Sequence, residues 1–90
     1  MNASQIQSKI CEYCRVNAIP YNNLVKMSVS GWPDVMIVVY GITYFFEIKY
    51  GKDKLSELQK YRIAQLNNHS KIAFVITSFP EFKKILSVLK

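Results

Sequence analysis

Gly31–Tyr50 reads GWPDVMIVVYGITYFFEIKY, and this stretch decides the fold. Val35–Tyr40 is a continuous apolar run, as expected for a strand covered on both faces. Gly41 makes a tight turn, and Ile42–Tyr50 returns as the hairpin partner. Side chains alternate along a strand, so Glu47 and Lys49 fall on one face and Phe46 and Ile48 on the other. Asp34 and Glu47, with twelve residues between them, stand at the ends of two adjacent hydrophobic strands with Lys49 beside them.

Going outward from the hairpin, Leu24–Val29 alternates and reads as a short strand, broken by Ser30-Gly31-Trp32-Pro33. The spacing of Ile6, Ile10 and Tyr13 or Cys14 predicts a helix from Asn2 to about Asn17. Ser4 with Gln7 resembles a capping box there, and Asn2 is the alternative cap. Pro20 disfavours a helical Ile19 and ends the helix. After the polar connection Gly51–Lys54, Leu55–Asn67 reads as a second helix, with Leu55, Leu58, Ile63 (or Arg62) and Leu66 near one stripe. Ile72–Thr77 reads as a buried strand. Ser78, Pro80 and Glu81 then start a final helix through Phe82, Ile85, Leu86 and Leu89. The order α-β-β-β-α-β-α describes one α/β domain spanning residues 1–90, with a central mixed sheet and helices packed on it.

Ninety residues support one modest core, and a chain that is 50% hydrophobic is no disordered tail. No apolar run approaches the roughly 20 residues that cross a bilayer, so no membrane association is expected. The N-terminus has no basic segment followed by an apolar block, so no signal peptide is read and a cytoplasmic setting is expected. A net charge of +6 favours anionic partners, nucleic acid first. Cys11 and Cys14 lie three apart within a helix without a second pair, and His69 is the only histidine. Buried reduced thiols fit better than a zinc or redox site.

Two ionised carboxylates close together repel, and a hard divalent cation compensates them. Glu47 is also a charge embedded in a very apolar strand, which is costly unless it is paired or bound to metal. The backbone carbonyl of Ile48 offers a further oxygen. Lys49 is placed to orient or deprotonate a water, or to stabilise charge building on a phosphate. The bland reading has Asp34 capping a turn and Glu47 and Lys49 in an ordinary cross-strand charge pattern.

Pro33-Asp34 followed by Glu47-Ile48-Lys49 resembles the motif of the PD-(D/E)XK nuclease superfamily. The flanking Gly31-Trp32, Gly41, Leu55-Ser56-Glu57-Leu58-Gln59 and Ile72–Ile76 resemble the virus-type replication-repair nuclease (VRR-NUC) domain. That resemblance covers most of the chain and implies a restriction-endonuclease-like core. It implies a DNA endonuclease dependent on Mg²⁺ or Mn²⁺. Asp34 and Glu47 match the metal-binding acids, Lys49 the catalytic lysine, and Gln59 a glutamine behind the site. Stand-alone members of this length are similar to small phage or bacterial proteins that act as homodimers on branched DNA such as four-way (Holliday) junctions, which implies a bacterial or phage-infected cell. Trp32, Tyr40 or Tyr44 would then serve a dimer contact, or else core and hairpin packing. Lys52, Lys54, Lys60 and Arg62 are the expected phosphate contacts. One departure stands out: many members carry a glutamate near the start of the first helix, where this chain has Ala3, with Gln7 a weak substitute one turn on. The alternative implied is a weakened or inactive DNA-binding module that keeps the nuclease fold.

Overall fold

Val39 pairs with Ile42 across a two-residue turn in which Tyr40 (φ 50°) and Gly41 (φ 76°) both adopt positive φ. This is the turn whose twist matches that of a hairpin. Glycine takes the second position without strain, while Tyr40 occupies the first against its own preference. The computed structural model describes residues 1–89. In chain order it contains α1 (Ala3–Val16), β1 (Tyr21–Asn23), β2 (Val35–Val39), β3 (Ile42–Ile48), α2 (Glu57–Leu66), β4 (Ala73–Ile76) and α3 (Phe79–Leu89). The order is the expected α-β-β-β-α-β-α. One mixed sheet runs β1-β2-β3-β4, antiparallel across the first two pairs and parallel between β3 and β4, which α2 connects.

The inner face of the sheet carries Val35, Ile37 and Val39 from β2, and Tyr44, Phe46 and Ile48 from β3, with Ile76 from β4. Helices α1 and α3 cover it with Ile6, Ile10 and Cys14, and with Phe82 and Leu86. Phe46 and Phe82 meet edge to face at 5.0 Å. The outer face is more thinly covered. Met36 and Val38 are only half-buried, so β2 alternates rather than being sealed on both faces as its composition suggested. Cys14 is buried and both cysteines are reduced. Burial pushes the Cys14 thiol up to about 11 and raises that of Cys11, which suits packing rather than reactivity.

Three local expectations are corrected, at the first strand and at the starts of α1 and α3. Leu24–Val29 is a loop, and the first strand lies just before it. Tyr21, Asn22 and Asn23 pair with Ile37, Met36 and Val35, so residues beyond Leu24 run past the end of β2. The next partner would be Pro33, which has no N–H to give a ladder. The pairing therefore closes with Leu24 N–H donating to Asp34 O at 2.9 Å. At α1, the cap is Asn2 rather than Ser4. Asn2 Oδ1 accepts from Gln5 N–H (2.9 Å) and Gln5 Oε1 from Asn2 N–H (2.7 Å). At α3, Ser78 Oγ accepts from Glu81 N–H as expected, while Glu81 turns back to Thr77 rather than to Ser78. Among the described residues no helix is long and apolar enough to cross a membrane.

Candidate active site on the outer face of the sheet

The hairpin register carries Asp34 to Glu47. Asp34 lies one residue before β2, in step with outward-facing Met36, and its N–H donates to Phe46 O at 3.1 Å. There β2 ends, while β3 continues for two more residues. The Asp34 side chain fills the gap: Oδ2 accepts from Ile48 N–H at 2.8 Å. A strand residue turns its N–H and C=O to the same side, so the Ile48 carbonyl faces this edge as well. Asp34 is thereby fixed through its N–H, its carbonyl and its carboxylate, on a rigid strand end rather than a mobile loop.

Glu47 is 2% exposed. Lys49 Nζ lies 3.0 Å from its Oε2, and Gln59 Nε2 donates to the same oxygen at 3.3 Å. Oε1 is buried and has no partner among the described residues. Burial raises the Glu47 carboxyl above its ordinary value of 4.5, and the neighbouring Asp34 charge raises it further, with Lys49 opposing both. An orphaned, desolvated carboxylate oxygen beside a second carboxylate is an arrangement that a hard cation completes. The donor set is all oxygen (Asp34, Glu47 and the Ile48 carbonyl), which fits Mg²⁺ or Mn²⁺. Among the described residues no three of His, Cys, Asp and Glu stand together to hold a metal ion, so water and substrate oxygens would complete the shell.

Gln59 reaches Glu47 because α2 starts beside the site. Ser56 Oγ accepts from Gln59 N–H (3.1 Å) and Gln59 Oε1 accepts from Ser56 N–H (2.9 Å), a full capping box. The sequence signals this pairing as Ser56-Glu57-Leu58-Gln59, a segment quoted above for its family likeness but not for its capping. The start of α2 is in turn held by the loop before Asp34. Gly31 (φ +89°) packs so closely on Leu58 that a Cβ would come within 2.8 Å of the Leu58 Cγ and 2.9 Å of its carbonyl oxygen.

Of the basic residues, Lys52 and Lys54 are exposed in the connection after β3, as expected. Lys60 is exposed and pairs with Glu57 at 3.3 Å. Arg62 departs from the expectation of an exposed phosphate contact, being 8% exposed. Its guanidinium lies 5.6 Å from the Trp32 ring centroid and 5.6 Å from that of Tyr61. It donates to Ser30 O at 3.3 Å and to Gln65 Oε1. Trp32 itself packs on Phe45, so Arg62 pins the loop to α2 over the outer face. The stripe geometry that placed Arg62 near Leu58 and Leu66 was the usable signal. Replacing Arg62 with Lys should remove the planar stack and the fork, destabilising the fold by about 1–3 kcal/mol in urea denaturation.

Ala3 is half-buried against the apolar cluster under α1, and Gln7 is committed to Asn23, with Nε2 donating to Oδ1 at 2.9 Å. The structure thus joins Asp34, Glu47, Lys49 and Gln59 in one site, with Lys52 and Lys54 following in the chain. Comparison of the chain with family models, curated proteins and solved structures found no match.

Proposed function

We propose that this chain is a metal-dependent DNA endonuclease of the VRR-NUC type that hydrolyses phosphodiester bonds, with branched DNA such as four-way junctions as its substrate. The observation that carries the reading is the buried Glu47 with one oxygen held by Lys49 and Gln59 and the other unpartnered, next to Asp34. Asp34, Glu47 and the Ile48 carbonyl would hold the cation. When bound, the ion polarises a phosphoryl oxygen and neutralises its charge. Lys49 presents an ammonium group on the same face, where it orients a water for in-line attack and meets the charge that develops on the phosphate. Lys52, Lys54 and Lys60 take flanking backbone phosphates. A homodimer would place one site on each of two strands, as symmetric junction cleavage needs.

A second reading is favoured by Ala3 and by the lack, among the described residues, of a third acid grouped with Asp34 and Glu47: a weakened or inactive DNA-binding module with the nuclease fold. Incubating a labelled four-way junction and a matched linear duplex with Mg²⁺ or Mn²⁺, or with chelator, separates the two. Junction cleavage in metal alone is the expected result. Binding without cleavage by this chain, with cleavage appearing in Ala3→Glu, would establish the second reading. The first turn of α1 holds no acid, so a glutamate there also suits the helix dipole.

DNA affinity should fall steeply with salt. Lys52→Ala and Lys54→Ala should each lower the slope of log K against log salt by about 1, whereas Arg62→Lys should leave it unchanged. Fluorescence anisotropy across a salt series reads both, and a salt-independent affinity would count against the basic patch.

A further inference from the structure

We propose that the capping box of α2 is a positioning device for Glu47: Ser56 N–H fixes the Gln59 amide, and Gln59 together with Lys49 turns Glu47 so that Oε1 is its cation-facing oxygen. The inference rests on reading the acid pair as a divalent-cation site.

A primary amide can present either end to a neighbour. Here Gln59 Oε1 accepts from Ser56 N–H at 2.9 Å, which fixes the oxygen end at the helix terminus. The nitrogen end is left facing the sheet, where it donates to Glu47 Oε2 at 3.3 Å. Capping alone would use only the oxygen end. Lys49 Nζ reaches the same Oε2 at 3.0 Å, so two donors converge on one carboxylate oxygen and leave the other bare although it is buried. With Oε2 held from two directions, Oε1 cannot swing away. The placement of the amide is set in turn by Gly31 against Leu58 and by Arg62 on Ser30, so the packing of α2 determines the orientation of a carboxylate on β3. Partners behind a ligand commonly change metal affinity 10–100-fold. Gln59 and Ser56 are therefore positioning residues, and neither needs to touch the substrate.

The test is calorimetric titration of Mn²⁺ alone into the full chain and three variants. Ser56→Gly removes the Oγ cap but keeps the N–H. Ser56→Pro removes both, and the Ser56 φ of −70° suits proline. Gln59→Leu removes the amide. Mn²⁺ affinity within twofold of wild type for Ser56→Gly, and about tenfold weaker for Ser56→Pro and Gln59→Leu, is expected. Equal losses in Ser56→Gly and Ser56→Pro, or wild-type affinity in Gln59→Leu, would reduce the capping box to a helix terminus and overturn the proposal. Should Ser56→Pro not fold, the contrast between Ser56→Gly and Gln59→Leu still decides. If the wild-type chain takes up no Mn²⁺, the cation reading fails and with it the role assigned to Oε1. The fixing of the amide is then read separately from the Gln59 side-chain signal in ¹⁵N NMR. Slow Nε2 proton exchange that persists in Ser56→Gly and is lost in Ser56→Pro supports it, and unchanged exchange in Ser56→Pro refutes it.

Discussion

Glu47→Gln should lose metal-dependent cleavage by more than about 100-fold while making the protein more stable at neutral pH. Groups that merely support a metal ligand account for 10–100-fold, so losing the ligand's charge exceeds that range. The stability gain follows from burial. Folded Glu47 holds its proton more tightly than the unfolded chain does, because burial and the Asp34 charge raise it above 4.5. Its contribution to stability is therefore present in full below about pH 4.5 and is lost as the pH rises through the folded value. Glutamine is neutral at every pH and accepts from Lys49 and Gln59 without that loss. A gain on the order of 1 kcal/mol, or about 4–8 °C in Tm, is expected at pH 7, shrinking toward acid pH. Thermal melts of both proteins across pH 4–8 check it, and a less stable Glu47→Gln at pH 7 would show that Glu47 serves as a structural ion-pair partner of Lys49.

Gly31→Ala should cost about 3 kcal/mol, or roughly 12–24 °C in Tm. Two effects combine. At φ +89° an L side chain is strained, and the new Cβ meets the Leu58 backbone carbonyl, which cannot step aside without moving α2. Gly51→Ala is the control, since it shares positive φ (+62°) but its Cβ would meet open space. Gly31→Ala should therefore lose clearly more than Gly51→Ala in differential scanning calorimetry. Because Leu58 precedes Gln59, the same change should loosen the contact to Glu47.

These effects explain why so much of the fold was legible in the sequence and why some of it was not. The hairpin announced itself through Gly41 and two apolar runs, and strand alternation alone assigned Glu47 and Lys49 to one face. Leu24–Val29 misled because an alternating pattern is necessary for a half-buried strand but does not supply a pairing partner. Its register would have set it against Pro33. Arg62 misled because a cation on a helix is usually solvated, whereas here Trp32 and the Ser30 carbonyl reach it from a distant part of the chain and its neighbour Tyr61 flanks it. The link between Ser56 and Glu47 combines a local capping signal with a tertiary contact, and only the first half is written in the sequence.

Cleavage of a labelled four-way junction in Mg²⁺ or Mn²⁺ by wild type and by Asp34→Asn tests the assigned site most directly. Asparagine keeps an oxygen for the Ile48 N–H, so the ladder closes while one charge of the acid pair is removed. Cleavage by wild type that chelator abolishes and Asp34→Asn lacks, with both proteins folded and binding the junction, is the predicted result. Cleavage that survives in Asp34→Asn at the wild-type rate would contradict the assignment of this site.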